Sequence, residues 1–145
     1  MSLEKTHTNI SGSYIIIIYL YFTSLEKKFP NSNIFILDEI NVNTAFTTTC
    51  PKDSEIVVFR KEEWFKVFIH ETFHAYGLDF GNYAVPKLNS SLKLLFPIKS
   101  DFDPTEAYSE MWARIMNCAI TGFNALEKKE NVDEFIKNTD FCLGV

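Results

Sequence analysis

The apolar positions of the chain fall into blocks of different period, and those blocks set the expected elements. From Ser13 to Phe29, the positions Ile15, Ile18, Phe22, Leu25 and Phe29 keep three- and four-residue spacing, which predicts a helix, although the run Ile15–Ile18 is β-branched and weakens it. Pro30-Asn31-Ser32-Asn33 breaks the pattern, and Ile34-Phe35-Ile36-Leu37 predicts a short strand. Val42 to Thr49 mixes β-branched and aromatic residues before the turn signal Cys50-Pro51-Lys52-Asp53. Ile56-Val57-Val58-Phe59 predicts a further, interior strand.

Helical period returns from Lys61 to Tyr76, where Phe65, Ile69, Phe73 and Tyr76 form an apolar stripe expected to face the sheet. Glu62 and Glu63 suit the positive end of that helix, and Gly77 suits its stop. Residues 78–102 have weak periodicity interrupted by Pro86 and Pro97, which predicts an irregular connection with one short helix. Asp103-Pro104-Thr105-Glu106 then starts a helix, with Asp at the N-cap, Pro at N1 and Glu at N3. It runs to about Leu126 and is apolar nearly all round, which predicts deep burial. A last short helix is expected near Val132–Lys137. Residues 1–12 are polar and expected to be flexible, and no repeat or linker divides the rest. Residues 1–145 therefore read as a single α+β domain.

Composition narrows the partners. With 14 Lys and Arg against 19 Asp and Glu, the formal charge is −5, and the basic residues are scattered. Nucleic acid is not expected as a partner, because neutralising phosphates takes clustered cations. The apolar run Tyr14–Phe22 is far shorter than the roughly 20 residues that cross a bilayer, so stable membrane insertion is not expected. No small-residue cleavage site follows it, as a secretory signal would require. Cys50, Cys118 and Cys142 are an odd set without CxxC spacing. The expectation is no disulfide framework, a reducing cytoplasmic or intracellular compartment, and Cys118 as a small buried hydrophobe.

The chemistry lies in His70-Glu71-Thr72-Phe73-His74, an HExxH motif on the predicted helix. Residues four apart on a helix point about 40° apart, so His70 and His74 can share one tetrahedral Zn²⁺. Glu71 is then placed to take a proton from water without being a ligand. A catalytic zinc usually takes three protein ligands. In the pattern HExxHxxGxxH, Gly77 matches, but Phe80 stands where the last histidine should be, and Asp79, one residue early, is a fallback. Cys50 lacks the surroundings of an upstream cysteine ligand. The better candidates are Glu106 and Glu110, four apart on the apolar helix, since carboxylates there need a partner or a metal. One would ligate; the other would hydrogen-bond a ligating histidine. The ordinary alternatives are a capping box for Glu106 and an ion pair with Arg114 for Glu110.

With these residues in view, the chain resembles the gluzincin metallopeptidases, whose third ligand is a glutamate on a helix after HExxH. Asn43-Thr44-Ala45-Phe46, Ser54–Phe59 and the motif helix are similar to the edge strand, following strand and active-site helix of thermolysin-like and CAAX-protease-like families. Glu106-Ala107-Tyr108-Ser109-Glu110 is similar to their E-x-x-x-D segment. The chain departs from them in carrying Glu at 110 and an extra residue between Asn43 and the Ala45-Phe46 pair.

The resemblance implies a minimal soluble zincin-like fold, a small mixed sheet packed on the motif helix and on a second, glutamate-bearing helix. It also implies Zn²⁺ held by His70, His74 and Glu106, with Glu110 supporting a ligand or replacing Glu106. The implied activity is hydrolysis of peptide bonds by a zinc-activated water, with Glu71 as general base and then acid. Asn43, Ala45 and Phe46 would lie on the edge strand that binds an extended peptide or polypeptide substrate. Tyr76, Tyr83 and Tyr108 are unranked candidates for stabilising the oxyanion. The alternatives are a zinc-dependent hydrolase of another amide, or a catalytically inactive zinc-binding interaction module.

Overall fold

A computed structural model describes residues 15–28, 39–47, 53–79 and 85–144. The predicted strand Ile34–Leu37, the polar segment 1–12, and Cys50, Phe80 and Tyr83 lie outside the described residues.

Strand β1 (Ile15–Thr23) is followed by a single helical turn, α1 (Glu39–Val42), and then by strands β2 (Ala45–Thr47) and β3 (Asp53–Arg60). Four helices complete the chain: α2 (Trp64–Tyr76), α3 (Val85–Leu95), α4 (Pro104–Asn124) and α5 (Val132–Leu143). The sheet runs β1-β3-β2, with β1 parallel and β2 antiparallel to β3. The result is a small mixed α+β fold.

Segment 15–23 is a strand, not the expected helix. Every residue from Ile15 to Phe22 is apolar, so helical spacing can be found in it without carrying information. The β-branched isoleucines and the pairing offered by β3 decide the outcome.

Strand β3 alternates as a half-buried strand must, with Ser54, Ile56, Val58 and Arg60 turned inward. Ile56 and Val58 are fully buried and pack with Ala45 of β2, Ala75 of α2 and the flanking Ile16, Val67 and Phe68. Burial of this completeness contributes about 1.5–3 kcal/mol per side chain.

The stripe on α2 does not face the sheet. Ile69 and Phe73 pack on Ala113 of α4, with Phe65 and Tyr108 at the margin, while Tyr76 is exposed. Helix α2 is sandwiched between sheet and α4, so it has two apolar faces. Periodicity identifies a face but not what covers it.

Helix α4 also departs from expectation. It buries Ser109, Ala113, Cys118 and Gly122, a line of small residues, whereas Met111, Trp112, Met116, Ile120 and Phe123 are exposed. Close helix approach selects small side chains at the contact: a Cβ on Gly122 would stand 2.7 Å from Thr139 Oγ1 of α5.

Helix α5 extends beyond the predicted segment, and Cys142 on it forms a disulfide with Cys118, with Cα atoms 5.4 Å apart. This corrects the reading of Cys118 as a lone hydrophobe and removes the cysteine argument for a reducing compartment. Linear spacing did not reveal the pair because α4 and α5 bring together residues 24 apart in sequence. Among the described residues, no helix is long and apolar enough to cross a membrane.

Candidate metal centre

Helix α2 carries the motif on its last two turns. Its end is set by Gly77, whose φ of 62° lies in the left-handed region that favours glycine. His70 and His74 stand one turn apart with ring centroids 4.8 Å apart.

Helix α4 delivers Glu106 from the facing side. The Asp103 side chain caps α4 by accepting from the Thr105 and Glu106 amides at 3.2 and 3.3 Å. The Glu106 carboxylate reaches the histidines. Among the described residues Glu110 pairs not with Arg114, the ordinary alternative for it, but with Lys66, whose Nζ lies 2.5 Å from Glu110 Oε1.

Three donor groups converge. His70 Nε2 lies 3.0 Å from His74 Nε2 and 3.1 Å from Glu106 Oε2, and His74 Nε2 lies 3.2 Å from Glu106 Oε1. Donors on a tetrahedral zinc at about 2.0–2.1 Å stand roughly 3.3–3.4 Å from one another. The cluster therefore needs to open by only a few tenths of an ångström to accept such an ion.

The outer ring nitrogens face carboxylates. His74 Nδ1 is 2.9 Å from Asp79 Oδ2, and His70 Nδ1 is 3.4 Å from Glu110 Oε2, near but not aligned for a hydrogen bond. With protons held on both Nδ1 atoms, two imidazole lone pairs and a carboxylate would converge, an arrangement that could hold a metal ion. The residues present fit a metal of the zinc class.

Proton affinities in the site depart from their ordinary values. Burial lowers the proton affinity of His70, but the hydrogen bond and charge of Glu106, with Glu71 and Glu110, outweigh it and raise the imidazole above its ordinary value. Glu106 is lowered, first by its hydrogen bond with His70. Glu71 is raised, chiefly because burial penalises its charge, against the opposing pull of His70 and His74. It is 8 % exposed, and no hydrogen bond or ion pair engages its carboxylate among the described residues.

The cluster opens into a cleft of about 490 Å³, whose other wall is the segment Val42–Thr47. Asn43, Ala45 and Phe46 all border it. Asn43 and Phe46 are exposed, whereas Ala45 is buried in the sheet core, so any role of Ala45 toward a ligand falls to its backbone. Lys66 borders the cleft too and escaped the sequence reading. Its spacing was a usable signal: positions 66, 70 and 74 share one helix face. Asp79, a fallback ligand by sequence, sits outside the converging group and against His74 Nδ1. Tyr108 packs its ring edgewise near Phe73, and Tyr76 is exposed; neither borders the cleft.

The chain matches no protein-family model, no curated protein and no solved structure.

Proposed function

We propose that the chain is a zinc-dependent metallopeptidase of gluzincin type, with a minimal zincin-like fold. The observation that carries this reading is the convergence of His70 Nε2, His74 Nε2 and Glu106 in a cleft that also contains Glu71, buried and unpaired among the described residues. His70, His74 and Glu106 would hold the metal, with Glu110 supporting His70. When bound, zinc supplies a Lewis acid that acidifies water and polarises a carbonyl.

The protein's own groups account for the remaining steps. Glu71, whose burial raises its proton affinity, takes a proton from the attacking water and returns it to the departing amine nitrogen. Among the described residues β2 pairs with β3 along one side only, and its other side would offer backbone groups to an extended polypeptide. Phe46, 56 % exposed at the cleft, adds an apolar contact for a substrate side chain.

The test is Glu71→Gln, which keeps shape and removes the proton acceptor. Zinc-loaded wild type should cleave an unfolded polypeptide, and the variant should lose about 10²–10⁴-fold in rate while retaining one zinc per chain. Equal cleavage by the two proteins would refute the mechanism. Turnover of small acyl amides with no peptide cleavage would favour a different amide hydrolase. Zinc binding without any hydrolysis would favour an interaction module.

A further inference from the structure

The turn that ends α2 also shapes the metal centre. The Gly77 amide donates to His74 O at 3.1 Å and the Leu78 amide donates to Phe73 O at 2.8 Å, the paired closure that reverses a chain at a helix end. The reversal returns Asp79 to the flank of α2, where Oδ2 lies 2.9 Å from His74 Nδ1. Both side chains are largely screened from solvent, 16 % exposed for Asp79 and 13 % for His74, so water competes weakly for the contact.

We propose that Asp79 is the positioning residue of His74: by accepting a hydrogen bond from Nδ1–H it fixes the tautomer that presents the Nε2 lone pair to His70 and Glu106. A neutral imidazole carries one N–H, and the partner of one nitrogen decides where that proton sits. In the opposite tautomer the proton would lie on Nε2, inside the cluster, and would have to leave before a metal could bind. His70 is held less firmly, because its Nδ1 lacks an aligned partner and Glu110 is engaged by Lys66. His74 is thus the preset donor of the pair. The purpose of this device rests on the metallopeptidase reading, but its existence rests on the hydrogen bond alone.

Two readouts on the metal-free protein test it, with wild type, Asp79→Ala and Asp79→Asn. Nitrogen-15 imidazole spectra at pH 8 report the His74 tautomer, and a chelator-competition titration reports zinc affinity. Wild type should show His74 protonated at Nδ1. Asp79→Ala should shift it toward Nε2–H and weaken zinc binding by about 10–100-fold. Asp79→Asn, whose amide can turn its NH2 toward Nδ1, should also shift the tautomer toward Nε2–H and weaken zinc binding. An unchanged tautomer in Asp79→Ala overturns the assignment, as does unchanged zinc affinity in a wild type that binds zinc. If wild type binds no zinc but the tautomer shifts as expected, the metallopeptidase reading fails and the Asp79 assignment stands.

Discussion

Zinc should stabilise the fold by linking α2 to α4, and the size of that effect identifies the third ligand. The three donors already stand 3.0–3.2 Å apart, close to the edge of a zinc tetrahedron, so little of the binding energy goes into rearrangement. At free zinc a hundredfold above Kd, wild type should gain about 2.7 kcal/mol. For a chain of this size that is roughly 8–10 °C in Tm. In Glu106→Gln a neutral amide oxygen replaces the carboxylate. With affinity down about a hundredfold, the same free zinc equals Kd, and the gain falls to about 0.4 kcal/mol, or 1–2 °C. Glu110→Gln should lie between them, because Glu110 touches only the outer side of His70. Thermal denaturation in a zinc buffer measures all three. A Glu106→Gln shift equal to wild type would show that the third ligand lies elsewhere, and the larger loss in Glu110→Gln would reverse the two roles.

Three other outcomes probe the scaffold and the charges. Without metal, the raised His70 stabilises the fold below its ordinary value of about 6.5, and that contribution is lost as pH rises through its folded value. The raised Glu71 acts in the same direction, since its buried charge forms as pH rises. The lowered Glu106 stabilises above its ordinary value of about 4.5 and loses this as pH falls below that. Urea unfolding of metal-free protein should therefore show lower stability at pH 8 than at pH 6, a difference reduced in His70→Gln; a rise from pH 6 to pH 8 would contradict the assignment. Between α2 and α4, Ser109 is fully buried with no hydrogen-bond partner for its hydroxyl among the described residues, and Ala113 is fully buried against Ile69 and Phe73. Ser109→Ala should be neutral or slightly stabilising, whereas Ala113→Leu should cost about 1–3 kcal/mol and weaken zinc binding by prising Glu106 from the histidines; denaturation and zinc titration check both.

Local rules in the sequence already specified much of this protein. HExxH on a helix dictates that two imidazoles share a face, and the observed Nε2 pair follows from helix geometry alone. Asp103-Pro104-Thr105-Glu106 dictated the start of α4, because capping chemistry acts over three residues. The apolar run Ile56–Phe59 as a strand and the glycine at 77 as a helix stop were legible for the same reason.

What the tertiary structure decided is whatever depends on a partner remote in sequence. The apolar run from Ile15 is a strand because β3 lies alongside it. The α2 stripe faces α4 because that helix packs there with small residues. Cys118 meets Cys142 because α5 folds back on α4. The site divides along the same line. His70, Glu71 and His74 are set by one helix, but the choice between Glu106 and Glu110 depends on how α4 crosses α2. In that crossing Glu106 faces the Nε2 atoms and Glu110 takes Lys66, a choice that their four-residue spacing on a single helix face could not make.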